Sequence, residues 1–352
     1  MIDVRGYAAR DPRSPLTPFN FQRRETGPHD VRIEILYSGI CHSDVHQVRD
    51  DWGGSLYPMV PGHEIVGRVV QVGEHVKKFA VGDFAGVGCM VDSCRVCSAC
   101  EDDQEQYCEH GGPTVTYNGR ERNSDQLTFG GYSTEIVVEE RFVVKVSPSL
   151  DLKAVAPLLC AGITTYSPLR HWKVGPGQKV GVIGLGGLGH MGVKFAKALG
   201  ARVVMITTSP EKGKDAQRLG ADEVLLSRDP EAMAAARGSF DFLLNTIPVE
   251  HDANPYIDLL KRDSTMAMVG VLNHIAPVSG AALIMGRKSL TGSAIGGMAE
   301  TQEMMDFCAE HGIVSDIELV PMQQVNEAYE RLLANDVKYR FVIDIATLRE
   351  SA

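Results

Sequence analysis

The chain has 352 residues, 44% hydrophobic and 23% charged, enough to bury two domain cores and too apolar for intrinsic disorder. Its formal charge of −10 at pH 7, with no basic block to offset it, argues against a nucleic-acid partner, and no run reaches the length of a membrane span. The opening residues, MIDVRGYAARDPRSP, hold no signal-peptide core, and eight cysteines in such a chain point to a reducing cytoplasm and to metal binding rather than disulfides.

Alternating apolar and polar residues predict a strand over 31–40, VRIEILYSGI. It runs into GICHSDVH, which carries Cys41, His42, Ser43, Asp44 and His46. PMVPGHEIVG holds His63 and Glu64 and opens a strand over 64–73, and FAGVG at 84–88 is the next. Residues 91–108, VDSCRVCSACEDDQEQYC, then set Cys94, Cys97, Cys100 and Cys108 in C-x2-C-x2-C-x7-C spacing. Four thiolates satisfy the tetrahedral preference of zinc and leave no open position, as in a structural site. The run is polar and short of large apolar residues, so a metal there would replace a core. Redox thiols and an iron–sulfur cluster are the alternatives, although the spacing differs from the common ferredoxin patterns. STEIVVEERFVVKV, 133–146, completes a series of short strands cut by Gly and Pro turns, which predicts a barrel-like β domain.

After VSPSL the pattern changes. PLLCAGITTY carries Cys160. QKVGVIG is an apolar strand, and it leads into GLGGLGHMG with Gly184-x-Gly186-x-x-Gly189 and a helix that ends on Gly200. A glycine loop that follows a strand and opens a helix is the setting of a dinucleotide fingerprint, its backbone, Gly187 and Leu188 included, lying against the pyrophosphate. ARVVMIT is the next strand. NAD sites usually place an acid at its end, about 20 residues on. Here Thr207, Thr208 and Ser209 stand in that position, with Lys212 and Lys214 close behind. Hydroxyls and cations suit a 2′-phosphate, hence NADP(H). Glu211 is the exception, and Pro210, as a helix start, would turn it away. EKGKDAQRLG, DEVLLS, FDFLLNTI, NPYIDLLKRD and STMAMVGVL continue the strand–helix alternation and predict a parallel, doubly wound sheet. A helix near 301–311 and a strand over 340–345 close the chain.

Cys41, His63 and Cys160 can each be read plainly, as a small core residue or a structural histidine. Together they offer two cysteines and one histidine with a fourth position open, the donor set of a catalytic zinc. At this point the chain resembles the zinc-dependent medium-chain alcohol dehydrogenases over essentially its full length. It is most similar there to the cinnamyl alcohol dehydrogenase group and its bacterial broad-range aldehyde reductases. The resemblance is carried by GICHSD, PGHEIVG, GCMVDSC with the cysteine run, PLLCAGITTYSPL, GLGGLGHMG, TTSPEK and YRFVID.

That resemblance implies an α/β fold. A GroES-like β-rich catalytic domain would span 1–156 and 295–352, with the zinc lobe near 91–108, and a Rossmann NADP-binding domain would span 157–294. It implies two zinc ions, one catalytic on Cys41, His63 and Cys160 and one structural on Cys94, Cys97, Cys100 and Cys108. Ser43 takes the place of the hydroxyl that relays the substrate proton, and His46 that of the relay to solvent. His42 and Arg340 are expected at the cofactor, and Asp44 and Glu64 behind the metal, with Glu64 able to reach it. Trp52, Leu56, Tyr57 and Met90 read equally as substrate-pocket residues or as ordinary packing of the β domain, and Ile295 is the further expected pocket residue. Plant cinnamyl members carry tryptophan and large aromatics where PTVTYNGRE and TGSAIGG stand here, with Ala294 beside Ile295, so a dedicated lignin role is not implied. The implied reaction is reversible hydride transfer between NADPH and an aldehyde, in a homodimer joined near AALIMGRKSLTGSAI. Three rivals stand against it. A zinc-free quinone reductase would lack Cys41, His63 and the cysteine lobe. A polyol dehydrogenase fits poorly with the cysteine third ligand and the missing acid. A non-catalytic NADP-binding zinc or redox sensor would not need a relay. Cys89 and Cys308 carry no assignment beyond core packing.

Overall fold

Residues 1–122 and 124–350 are described by the computed structural model. The chain divides into two compact units, Met1–Cys160 with Gly296–Ala352, and Ala161–Ile295. The boundaries expected from sequence were 156/157 and 294/295.

Short, half-buried strands build the first unit. β1 (Ile2–Ala8) and β2 (Thr17–Arg23) form an antiparallel hairpin that the sequence reading passed over. Its inward side chains Ile2 and Val4 pack on Phe21 and Val137. β3 (Asp30–Ile40) is followed directly by α1 (His42–Val48), then by β4 (Ile65–Val72) and β5 (Phe84–Val87). β6 (Met90–Asp92), α2 (Ser98–Glu101) and β7 (Thr114–Val115) frame the cysteine-rich lobe. β8 (Glu135–Glu139), β9 (Val144–Lys145) and α3 (Leu152–Val155) lead to Cys160.

The second unit opens with α4 (Ala161–His171) and then alternates as predicted: β10 (Lys179–Ile183), α5 (Gly187–Ala198), β11 (Arg202–Thr207), α6 (Pro210–Arg218), β12 (Glu223–Leu226), α7 (Pro230–Ala235) and β13 (Phe240–Asn245). α8 (Asn254–Leu259), β14 (Leu260–Met268), α9 (Gly280–Ile284) and β15 (Ser289–Gly292) complete it. The six strands run parallel in the order β12-β11-β10-β13-β14-β15. The order reverses beside β10, and in such sheets a nucleotide lies outside the strand ends at that switch. Val180, Val182 and Ile183 of β10 are fully buried, as expected for a central strand covered on both faces.

The chain then returns to the first unit. α10 (Met298–His311) ends on Gly312 in the left-handed region, φ 64°. β16 (Ile317–Pro321), α11 (Val325–Leu333), β17 (Arg340–Asp344) and α12 (Ala346–Glu350) follow. β17 pairs antiparallel with β3 and places the last strand in the sheet β16-β17-β3-β4-β5-β9, with β8 also on β3. Arg340, the first residue of β17, is thereby brought to the end of β3 that holds Cys41.

Candidate active site and metal centres

β3 stops at Ile40 because the chain turns there into α1. Cys41 is the N-cap of this helix, and its backbone N–H donates to Asp44 Oδ2 at 2.9 Å. This reciprocal cap holds a short helix that has no apolar stripe. Asp44 is wholly buried. Its Oδ1 accepts the Gly62 N–H at 3.1 Å and lies 3.0 Å from Nδ1 of His63, on the loop before β4. With Nδ1–H committed to the carboxylate, the Nε2 lone pair is left for a metal. Cys160 follows the turn Ala156–Leu159 and is buried. Donor atoms of Cys41, His63, Glu64 and Cys160 all lie within 4.8 Å of one another. The nearby Cys160 thiol pulls Cys41 below the ordinary thiol range, and the Cys41 and Cys89 thiols push Cys160 above it.

Glu64 is fully buried, and one of its carboxylate oxygens accepts from Nη2 of Arg340. The same Nη2 donates to the Ile40 carbonyl at 3.0 Å. Burial pushes the Glu64 carboxyl up to about 7 against the pull of Arg340. The other oxygen, Oε2, has no partner, and it presses on Gly39, where a Cβ would sit 1.9 Å away. Gly39 must therefore be glycine for Glu64 to lie here. Arg340, expected at the cofactor, has its Nη2 on Glu64 and Ile40 and a residue exposure of only 4%.

Ser43 and His46, the residues expected to relay the proton, share α1 with His42. His42 and His46 lie one turn apart with their rings tilted at 32°, centroids 6.4 Å. Burial pulls His42 below the usual imidazole range. His46 Nδ1 lies 2.8 Å from Asp51 Oδ2 in a partly exposed pair, and its ring lies 5.1 Å from that of Trp52. Among the expected pocket residues, Trp52 is 36% exposed, while Leu56 is half-buried and donates its N–H to Asn118 Oδ1 at 2.7 Å. Tyr57 spends its hydroxyl on the Val48 carbonyl at 2.7 Å. Met90 is buried in β6, and Ile295 is half-buried with φ 39°. Cys89, which nothing in the spacing marks, reaches the Leu159 carbonyl at 3.8 Å, and the neighbouring Cys160 thiol pulls it below the ordinary thiol range. Cys308 is a core residue of α10, fully buried.

In the lobe, Cys94, Cys97, Cys100 and Cys108 converge in the same way. Backbone N–H groups of Cys94, Cys97 and Glu109 point at the sulfurs of Cys108, Cys94 and Cys97 from 3.3–3.4 Å. The lobe is fastened to the rest of its unit through Glu105, whose carboxylate accepts the Met298 N–H at 3.0 Å and caps α10.

In the second unit, Gly184 turns the chain out of β10 with φ 89°, and a Cβ on Gly189 would lie 1.9 Å from the Gly184 carbonyl. Gly186, the N-cap of α5, faces open space. The loop thus leaves room for a pyrophosphate at a helix N-terminus. At the end of β11, Thr207 accepts the Ser209 N–H at 3.3 Å, and Ser209 caps α6 by accepting the Lys212 N–H at 3.4 Å. Thr208 is exposed. Glu211 turns to Lys214 at 3.1 Å, while Lys212 is exposed and in no ion pair among the described residues.

Residues 27–148 match the alcohol dehydrogenase GroES-like domain family, and residues 187–310 match the zinc-binding dehydrogenase family. The chain is 57% identical to aldehyde reductase YahK of Escherichia coli (strain K12), covering 99% of this chain and 100% of that protein. The chain belongs to the zinc-dependent medium-chain alcohol dehydrogenases. It is also 52% identical to NADP-dependent alcohol dehydrogenase C 1 of Mycolicibacterium smegmatis (strain ATCC 700084 / mc(2)155), over 99% of this chain and 100% of that one. Among solved structures, a cinnamyl alcohol dehydrogenase of Sorghum bicolor superposes with a TM-score of 0.94 at 46% identity, over 98% of both chains. The donor sets suit the metal of this dehydrogenase family. Zinc–thiolate bonds of about 2.3 Å put neighbouring sulfurs of a tetrahedron about 3.8 Å apart, and the Cys94 and Cys100 sulfurs are 3.8 Å apart. Amides aimed at sulfur favour thiolates over thiols. At the other site Asp44 fixes the His63 tautomer as a metal-bound histidine requires.

Proposed function

We propose that this alcohol dehydrogenase reduces aldehydes to primary alcohols with NADPH and catalyses the reverse oxidation. The observation that carries the reading is the convergence of Cys41, His63 and Cys160 beside the helix that bears Ser43 and His46. Zinc held by those three residues supplies Lewis acidity toward the substrate oxygen, and NADPH supplies the hydride. Three protein donors leave a fourth position for substrate. Glu64 gives one oxygen to Arg340 and keeps the other unpartnered beside the three donors, so in this reading it is able to reach the metal.

Ser43 holds the proton that the reduced oxygen must receive. His46, one turn on and partly exposed, returns a proton from solvent, with Asp51 orienting its ring. Arg340 holds Glu64, and His42, half-buried on α1 beside Cys41, stays the proposed cofactor contact of its own unit. The name of the Mycolicibacterium relative, the hydroxyl-rich turn at 207–209 and the unpaired Lys212 all support NADP(H). Trp52, Leu56 and Met90 of the first unit offer apolar contacts to an aliphatic, benzylic or cinnamyl aldehyde.

Ser43→Ala is expected to lower kcat by about a hundred- to ten-thousandfold, the usual contribution of general acid catalysis, with Kd for NADPH little changed. His46→Gln should cost less, since buffer bases can replace it. Steady-state reduction of a panel of such aldehydes, on zinc-loaded protein, checks both. A wild-type enzyme inert toward every aldehyde would leave the sensor reading standing.

Among the described residues no helix is long and apolar enough to cross a membrane, and eight free thiols suit a cytoplasmic setting. A homodimer joined through β15 is supported by its place at the sheet edge and by Ile284 and Met285 just before it, 78% and 87% exposed. Sedimentation should find a two-chain species at micromolar concentration, and a single-chain mass would exclude it.

A further inference from the structure

We propose that Tyr132, backed by Tyr329, is a positioning residue that sets how strongly His63 donates to the metal, acting through Asp44. The proposal rests on the metal-site reading above and adds two residues to it that no motif marks.

Four hydrogen bonds reach the buried Asp44 carboxylate, which also bears on the buried Tyr117, whose ring stacks on that of His63 at 5.8 Å. Oδ1 takes the Gly62 N–H and the His63 Nδ1–H, at 3.1 and 3.0 Å, and Oδ2 takes the Cys41 N–H at 2.9 Å. The fourth donor is the Tyr132 hydroxyl, 3.5 Å from Oδ2. Two donors are backbone amides that no side-chain change removes, and the third is the ligand itself. Of these four, Tyr132 is the donor that can be withdrawn without touching a ligand, and Tyr117→Phe is the control for the other hydroxyl that Asp44 faces. The Tyr132 distance is long for a hydrogen bond, so this hydroxyl cannot be what fixes the carboxylate in place. Its role is electrostatic: a hydroxyl dipole that takes up part of the anion's charge.

Tyr329, on α11, donates to the Tyr132 oxygen at 3.4 Å, and the two rings meet edge-on with centroids 6.4 Å apart. Donation into an oxygen makes its own O–H a better donor, so the two hydroxyls act in series. Both tyrosines are buried, and burial together with the Asp44 charge holds them well above the ordinary phenol range, so both remain donors. Removing Tyr132's hydroxyl concentrates the carboxylate charge on His63. A more basic imidazole then donates more strongly and leaves the metal less electrophilic. Tyr329→Phe should act in the same direction but more weakly.

The test uses cobalt(II) in place of zinc at the catalytic site, read by its visible and thiolate charge-transfer bands, with steady-state kinetics on the zinc enzymes. Tyr132→Phe is expected to move the bands and to lower kcat about tenfold, in the range of outer-shell changes at metal sites, with KM for NADPH unchanged. The double variant should be no worse than Tyr132→Phe alone, because Tyr329 works through it. Unchanged bands and kcat with only a lower Tm would overturn the proposal and leave the tyrosines as packing. Should Tyr132→Phe not fold, Tyr329→Phe decides by the same two readouts. A wild-type protein that shows no cobalt bands would overturn the metal-site reading, and the proposal with it.

Discussion

Cys160→Ser is expected to abolish turnover and to take bound zinc from two ions per chain toward one, while the fold persists. The residue caps a single turn at the end of its unit, and a serine of nearly the same volume disturbs little around it. A neutral hydroxyl is a poor zinc ligand, so the site loses a negatively charged donor and, with it, the metal. Removing one preorganised charge stabiliser typically costs about a hundred- to a thousandfold in kcat, and losing the metal costs at least that much. The nearby Cys89 thiol gives this prediction a sharp control: if it substitutes as a ligand, Cys160→Ser keeps two zincs, and only the Cys89→Ser/Cys160→Ser pair drops to one. Metal analysis with aldehyde reduction checks both. Full zinc and full activity in that pair would remove Cys160 from the ligand set. Cys97→Ser should act differently. Zinc stands in for a core in the lobe, so the expected result is faster proteolysis within 91–108 and a loosened Glu105 cap on α10, and unchanged cleavage would exclude a structural metal there.

What the sequence made legible was local and periodic. The alternation in the Rossmann-type unit is plain because β10 and β11 are continuous apolar runs and glycines close the intervening helices. The metal ligands announced themselves by residue type, and the second cluster by spacing. The missed features depend on pairings that spacing does not encode. α1 is held by the Cys41–Asp44 cap rather than by an apolar face, so CHSDVHQV has no helical periodicity to read. Arg340 meets Glu64 from 276 residues away, brought there by the register of β17 on β3. Tyr132 and Tyr329, 197 residues apart, look like any buried aromatic until the fold sets them end to end behind Asp44. β1 and β2 were passed over although Ile2 and Val4 alternate, because their turn crosses a Pro- and Asp-rich stretch that reads as loop.

NADPH is expected to be preferred over NADH by about a hundredfold or more in kcat/KM, and Ser209→Asp to erode or reverse that preference. The 2′-phosphate brings close to two negative charges and needs donors and a cation. Ser209 caps α6 by accepting with its oxygen, so its own O–H remains free to donate. Thr208 is exposed beside it, the Lys212 side chain is in no ion pair among the described residues, and the positive end of the α6 dipole favours an anion. Each charge-assisted hydrogen bond is worth about 1.5–3 kcal/mol, and about 1.4 kcal/mol is tenfold, so two of them account for the expected ratio. Aspartate is as good an N-cap as serine. Ser209→Asp should therefore keep α6 intact and change only the charge that meets the phosphate, repelling it while accepting from a free ribose 2′-OH. The loss should appear in KM for NADPH. Lys212→Ala should weaken NADPH and leave NADH nearly untouched. Glu211 is the one residue that could invert this, and its carboxylate is turned to Lys214. Equal or better kcat/KM with NADH in the wild-type enzyme would mean that Glu211 leaves Lys214 for the ribose, and that the turn at 207–212 selects NAD(H).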